Sequence, residues 1–179
     1  MSAVGSPDPA QVLARFEAAP AELEALLSDL PASRLQTQAH PGGWTLAQVI
    51  HHIADGDDLW KAFILAGLGE TAPVFGLEWY WCVPQDRWSQ SWRYAARPID
   101  DSLALFRANR SITTTLLATT ARWWERQVAI RSTSGALETT TPLDVVGGQA
   151  DHALQHIDEI RQALTLPPAD QAAHLPTVG

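Results

Sequence analysis

The chain predicts an all-α fold, a bundle of four helices, and three features predict it. Apolar residues recur at helical spacing in four separate stretches. Two of those stretches open on recognisable cap signals. A hydrophobic content of 46% with 18% charged residues is that of a folded chain, and 179 residues can enclose one substantial core. We therefore expect one domain over residues 1–179, with its core at about residues 8–166 and a flexible, proline-rich tail at 167–179.

The first helix is expected from Pro9 to Leu30, with Val12, Leu13, Phe16, Leu23, Leu26 and Leu27 on its apolar side and Pro20 kinking or splitting it. The second follows Gly42-Gly43-Trp44, where Thr45 and Gln48 have the spacing of a reciprocal cap, and can run to Gly69. The third starts near Ile99-Asp100-Asp101 and carries Leu103, Phe106, Leu116 and Leu117. The fourth opens on Thr141-Pro142-Leu143-Asp144, a capping hydroxyl followed by proline at the first helical position, and ends before Pro167-Pro168.

The two connections around the third helix are long. Residues 70–98 form a tryptophan-rich loop with Trp79, Tyr80, Trp81, Trp88, Trp92 and Tyr94, which suits a wall, a lid or an interface, or else a cap on one end of the core. Residues 120–140 contain Gln127-Val-Ala-Ile-Arg131 and then a Ser/Thr/Gly stretch, the pattern of a short hairpin.

Several function classes are excluded by composition. The formal charge of -8, with no cluster of Lys and Arg, argues against nucleic acid. The lone Cys82 has no partner for an internal disulfide, which fits a reducing compartment, the cytoplasm. We count it neither as a ligand nor as a nucleophile. No apolar run reaches the roughly 20 residues that span a bilayer, so no membrane partner is expected.

Histidine spacing carries the chemistry. His152 and His156 stand four apart on the fourth helix, so they differ by about 40° around its axis and about 6 Å along it, and both can turn a nitrogen toward one cation. A histidine from the second helix would complete a facial set with a position left for water or substrate. On a helical wheel His52 shares its shoulder with Val49, Gly56, Leu59 and Phe63, whereas His51 shares a side with Gln48, Asp55, Asp58 and Ala62 and is expected to meet solvent. His52, His152 and His156 are thus the candidate metal ligands, for a divalent ion such as Zn, Ni, Fe or Mn. A lone histidine is ordinarily only a hydrogen-bonded helix residue; the pair plus a third favours metal. The flank of His152 also carries Val145 and Gln149, and Gly147-Gly148 one turn earlier leaves room for a neighbouring helix or a ligand.

Two carboxylates are candidate catalytic groups. Asp57 falls inside the apolar stripe and needs a partner. An arginine of the third helix, Arg107 or Arg110, is the structural choice; an acceptor for a ligand imidazole, or a base beside the metal, is the functional one. Glu159, one turn beyond His156, has the same choice, with ordinary solvation as its expected fate.

These residues resemble a family. Trp44-Thr-Leu-Ala-Gln-Val-Ile-His-His-Ile-Ala-Asp-Gly-Asp57 is similar to the second helix of DinB-like proteins, in which a Trp-Ser/Thr start precedes a metal-binding histidine by eight positions. His152-x-x-x-His156 ahead of Ile160 resembles their closing helix. Asp86-Arg-Trp-Ser-Gln-Ser-Trp92 and Arg97-Pro-Ile-Asp-Asp-Ser-Leu-Ala-Leu105 are similar to the YfiT-like branch. The resemblance covers most of residues 8–166. It implies an up-down-down-up bundle, a possible homodimer, with a divalent metal on His52, His152 and His156. It implies an activity in which metal-activated thiol or water attacks a small electrophilic substrate: a thiol-dependent S-transferase with a low-molecular-weight thiol cosubstrate, or a hydrolase. The alternatives are an isomerase of the thiol-dependent maleylpyruvate type and a non-catalytic binding module on the same bundle. The chain departs from the family pattern at Gln155, where a histidine is frequent, and at Glu159, where glutamine is expected.

Overall fold

The computed structural model describes residues 7–69 and 73–165. Helix α1 (Pro9–Leu27) begins where the Asp8 carboxylate accepts the Ala10 N–H at 3.0 Å, with Pro9 at a position that needs no N–H. Pro20 does not split it; the helix continues through this buried residue and ends at Leu27, short of the expected Leu30. Helix α2 (Leu46–Gly69) opens on the predicted reciprocal cap, Thr45 N–H to Gln48 Oε1 at 2.9 Å and Gln48 N–H to Thr45 Oγ1 at 3.3 Å.

The stretch expected as a loop has structure of its own: β1 (Val74–Gly76), α3 (Glu78–Trp81) and α4 (Gln85–Ser91). Its aromatic rings supply the reason. Tyr80 stacks against Trp88 and Trp92 at 5.8 and 6.2 Å, and Trp88 Nε1 donates to the Tyr80 carbonyl at 2.9 Å, so short helices too weak to stand alone are held by each other. Helix α5 (Ile99–Thr119) follows, then the predicted hairpin, β2 (Val128–Arg131) antiparallel to β3 (Leu137–Thr140), turning through Gly135 at φ +84°. An unforeseen parallel pairing of β1 with β2 makes a three-stranded sheet. Helix α6 (Pro142–Thr165) starts with Asp144 N–H on Thr141 Oγ1 and Thr141 N–H on Asp144 Oδ2, both at 3.1 Å.

Side-chain pairings fix the helix directions. Arg15 meets Asp151, and Arg34, beyond the end of α1, donates to the carbonyl of Leu164 at 3.3 Å, so α1 and α6 run parallel. His51 meets Ser102 and Asp57 meets Arg110, so α2 and α5 run parallel. Glu24 with Arg107 and Phe16 with Arg110 set α1 against α5, while His52 near His152 and Gly67 against Pro142 set α2 against α6. This is the up-down-down-up order. Parallel α2 and α5 require the chain between them to return the length of the bundle, about 36 Å for 24 residues, which is why residues 70–98 are so many.

The apolar core forms two clusters. One gathers Leu23, Ile50, Ile53, Phe106, Ile157 and Ile160, the other Phe16, Phe63, Ile64, Leu117, Val146 and Ala150. In sequence along α2 and α5, Asp57 and Arg110 fall between the two sets. Among the described residues no helix is long and apolar enough to cross a membrane. The tail with His174 lies outside the described residues.

Candidate metal centre

Helices α2 and α6 bring His52, His152 and His156 together, with one nitrogen from each ring within 4.8 Å of the others. The Nε2 atoms of His52 and His152 are 3.1 Å apart. Two imidazole nitrogens that share an ion at about 2.0–2.1 Å are separated by about 2.9 Å at a right angle and about 3.4 Å at a tetrahedral one. The observed spacing falls inside that interval, so this pair fits one divalent cation, and the His156 nitrogen lies close enough to join it with a small rotation. The rings lie nearly perpendicular in pairs, 73° for His52 with His152 and 89° for each of these with His156, so the three imidazoles gather edge to face and not as a stack.

Electrostatics agrees with ligation. Burial, reinforced by the neighbouring His156, pushes His52 down to about 4, and burial with the same neighbour pushes His152 down to about 3. Both rings are therefore neutral near pH 7, the form that offers a lone pair to a metal.

The third ring is oriented from behind. His156 Nδ1 lies 2.7 Å from Glu159 Oε2, so Nδ1 carries the proton and donates, leaving Nε2 as the free donor atom. Gln155 Nε2 in turn donates to Glu159 Oε1 at 3.3 Å. The two positions that depart from the family pattern thus act on each other and on the last histidine. Ordinary solvation, expected for Glu159, is replaced by a half-buried contact with the ring of a candidate ligand, because three residues along a helix return a side chain to the same face.

Trp44 is a site residue that spacing alone did not single out, although its place eight residues before His52 was visible. Its ring meets that of His52 edge-on at 5.1 Å, and its Nε1 donates to Asp86 Oδ1 at 2.8 Å. Through Asp86 and through Tyr94, 6.0 Å from Trp44, the aromatic connection walls the α2 end of the site.

Three expectations resolve differently from one another. Asp57 pairs with Arg110, Nε to Oδ1 at 2.6 Å, both side chains 2% exposed, and Arg107 goes instead to Glu24. Burial raises the Asp57 carboxyl while the Arg110 guanidinium pulls it back. His51 contradicts its expectation: it is fully buried, with Nε2 donating to the Arg97 carbonyl at 3.0 Å and Nδ1 2.8 Å from Ser102 Oγ. Burial, with Arg97 next, lowers its pKa. The reason is that α2 packs on α5 as well as on α6, so its buried arc is wider than the single stripe a helical wheel assumes. Cys82 is exposed at the end of α3 and takes no part in the cluster.

The description of the DinB superfamily matches residues 15–160. A protein of Geobacillus kaustophilus named "Putative metal-dependent hydrolase" is 30% identical over 93 residues, 52% of this chain and 49% of that protein. A protein of the same name from Geobacillus thermodenitrificans is also 30% identical over 93 residues, 52% of this chain and 49% of its own length. The chain spans about half the length of the curated relatives it matches. Among solved structures, YfiT from Bacillus subtilis, described as "a probable metal-dependent hydrolase with an unusual four-helix bundle topology", superposes with a TM-score of 0.77 at 23% identity, over 92% of this chain and 90% of that one. That likeness carries the fold; the match over residues 15–160 carries the family, and the chain belongs to the DinB superfamily.

Proposed function

We propose that the protein is a divalent-metal-dependent enzyme that activates water or a low-molecular-weight thiol for attack on a small electrophile, as a hydrolase or a thiol S-transferase. The observation that carries this reading is the convergence of three imidazole nitrogens, two of them 3.1 Å apart, with no fourth protein ligand among the described residues. A cation held there would lower the pKa of a coordinated water or thiol and so supply a nucleophile near neutral pH. His52 and His152 contribute by staying neutral, and Glu159 contributes by fixing the tautomer of His156. Trp44 and its partner Asp86 cover one flank of His52 and limit water there. Asp57 is engaged by Arg110, so of the two carboxylate candidates Glu159 is the one beside the reacting centre.

Purified protein assayed by elemental analysis after loading with zinc, nickel, iron or manganese is expected to hold one ion per chain. It is then assayed with monobromobimane plus simple thiols and with generic esters, using His52→Ala as control. Metal-dependent turnover above that control is the expected result. Absence of bound metal overturns the proposal, and stoichiometric metal without turnover on thiols or esters replaces it with a binding module.

A further inference from the structure

One to two helical turns from the three imidazoles, α2, the β2–β3 hairpin and the first half of α6 enclose a groove of about 450 Å³, bounded by Trp60, Ile130, Glu138, Asp144, Gly148 and Gln149. Its place relative to the metal centre follows from helix geometry. Gly148 precedes His152 by one turn, about 6 Å, and Trp60 follows His52 by two turns, about 12 Å. Since α2 and α6 are antiparallel, both displacements lead away from the imidazoles in the same direction. Gly148 keeps the groove clear, because nothing lies within 4 Å of where its side chain would begin.

Gln149 makes this more than a crevice. It is only 9% exposed, and its backbone carbonyl is taken by Arg110 Nη2 at 2.9 Å, yet its side-chain amide has no hydrogen-bond partner among the described residues. In a side chain so largely buried an amide is normally paired, so one that opens only onto a cavity, one turn from a candidate ligand histidine, is placed to be paired by what enters. The far wall holds the carboxylates of Glu138 and Asp144, and no lysine, arginine or histidine lines the groove. Asp144 uses Oδ2 in the helix cap, whereas Glu138 is exposed on β3.

We infer that this groove is the substrate subsite of the proposed enzyme, and that it selects an amine-bearing molecule: an apolar body against Trp60, a neutral carbonyl or hydroxyl group toward Gln149, and the amine toward Glu138 and Asp144. A carboxylate at the same position meets two like charges and no counter-ion, so acids are rejected. The inference rests on the metal-enzyme reading for its catalytic meaning, but the groove can be tested without turnover.

The experiment titrates phenylalaninamide and N-acetylphenylalanine, which share a ring and differ in charge, into metal-free and zinc-loaded protein by calorimetry with ligand-observed NMR. Phenylalaninamide is expected to bind at least tenfold more tightly than the acid. Gln149→Leu should weaken it about tenfold, and Glu138→Gln, an exposed change that leaves the fold alone, should abolish the preference for the amine. Equal binding of the two probes, binding of neither, or an unaltered preference in Glu138→Gln overturns the inference. Selective binding in a protein that takes up no metal would leave the groove standing and defeat the enzyme reading. Metal-dependent turnover without selectivity would do the reverse.

Discussion

Arg110 gives back the hydrogen bond that Pro20 removes from α1. A helical residue at position 20 would donate its N–H to the Phe16 carbonyl; proline has none, and Arg110 Nη1 reaches that oxygen at 2.8 Å. The same guanidinium pairs with Asp57 through Nε and with the Gln149 carbonyl through Nη2, and it lies 3.7 Å over the centre of the Phe16 ring. One side chain thereby ties α1, α2 and α6 to α5, and it meets α6 at Gln149, three residues before the first metal-ligand candidate of that helix.

Removing Arg110 alone is therefore expected to be severe. Arg110→Met leaves the Asp57 carboxylate buried without its counter-ion, for a loss of about 3–5 kcal/mol, whereas Arg110→Met with Asp57→Leu should recover most of it. Urea denaturation of the two singles and the double reads this directly. A single variant as stable as the parent would show that the hub contributes nothing.

His51 and His52 are adjacent and are expected to separate cleanly by readout. His51→Leu deletes the contacts with Ser102 and the Arg97 carbonyl in a fully buried position, so it should cost about 1–3 kcal/mol and leave metal stoichiometry near one. His52→Ala should remove the metal at a smaller cost to the metal-free fold. Elemental analysis beside thermal denaturation distinguishes them, and loss of metal in a folded His51 variant would reverse the assignment.

The histidine pair shows how far sequence reading reaches. Caps at Thr45 and Thr141, four long helices and three metal-ligand candidates are written in local spacing, which needs no knowledge of neighbours. The fate of His51 is not, because a helical wheel assumes one buried face and α2 has two partners. Nor is the pairing of β1 with β2, which joins residues some 55 positions apart in strands three and four residues long. The short helices α3 and α4 depend on rings stacking across a turn, a tertiary effect that outweighs their weak intrinsic preference.

Glu159 should tune the metal without holding it. Glu159→Ala removes the acceptor from His156 Nδ1 and frees the ring to rotate, so metal affinity is expected to fall by about 10–100-fold. Glu159→Gln retains an acceptor oxygen and should lose less. Competition against a chromophoric chelator measures both, and an unchanged affinity in the alanine variant would sink the role given to this contact.

Two glycines of α2 are expected to respond to alanine with opposite signs. At Gly56 the nearest atom outside the helix to a new methyl is His152 Cε1 at 3.9 Å, an ordinary contact, so Gly56→Ala should gain about 0.5–1 kcal/mol from helix propensity. At Gly67 the methyl would sit 2.7 Å from Val128 Cγ2 and 3.1 Å from Pro142 Cγ. Val128 is fully buried and stiff at χ1, and the proline ring is fixed at the start of α6, so neither yields easily. Overpacking of about 1–3 kcal/mol then exceeds the propensity gain, and Gly67→Ala should be destabilising. Melting temperatures of the two variants provide the check: a rise for Gly67→Ala would mean that the junction of α2, β2 and α6 is looser than these distances imply.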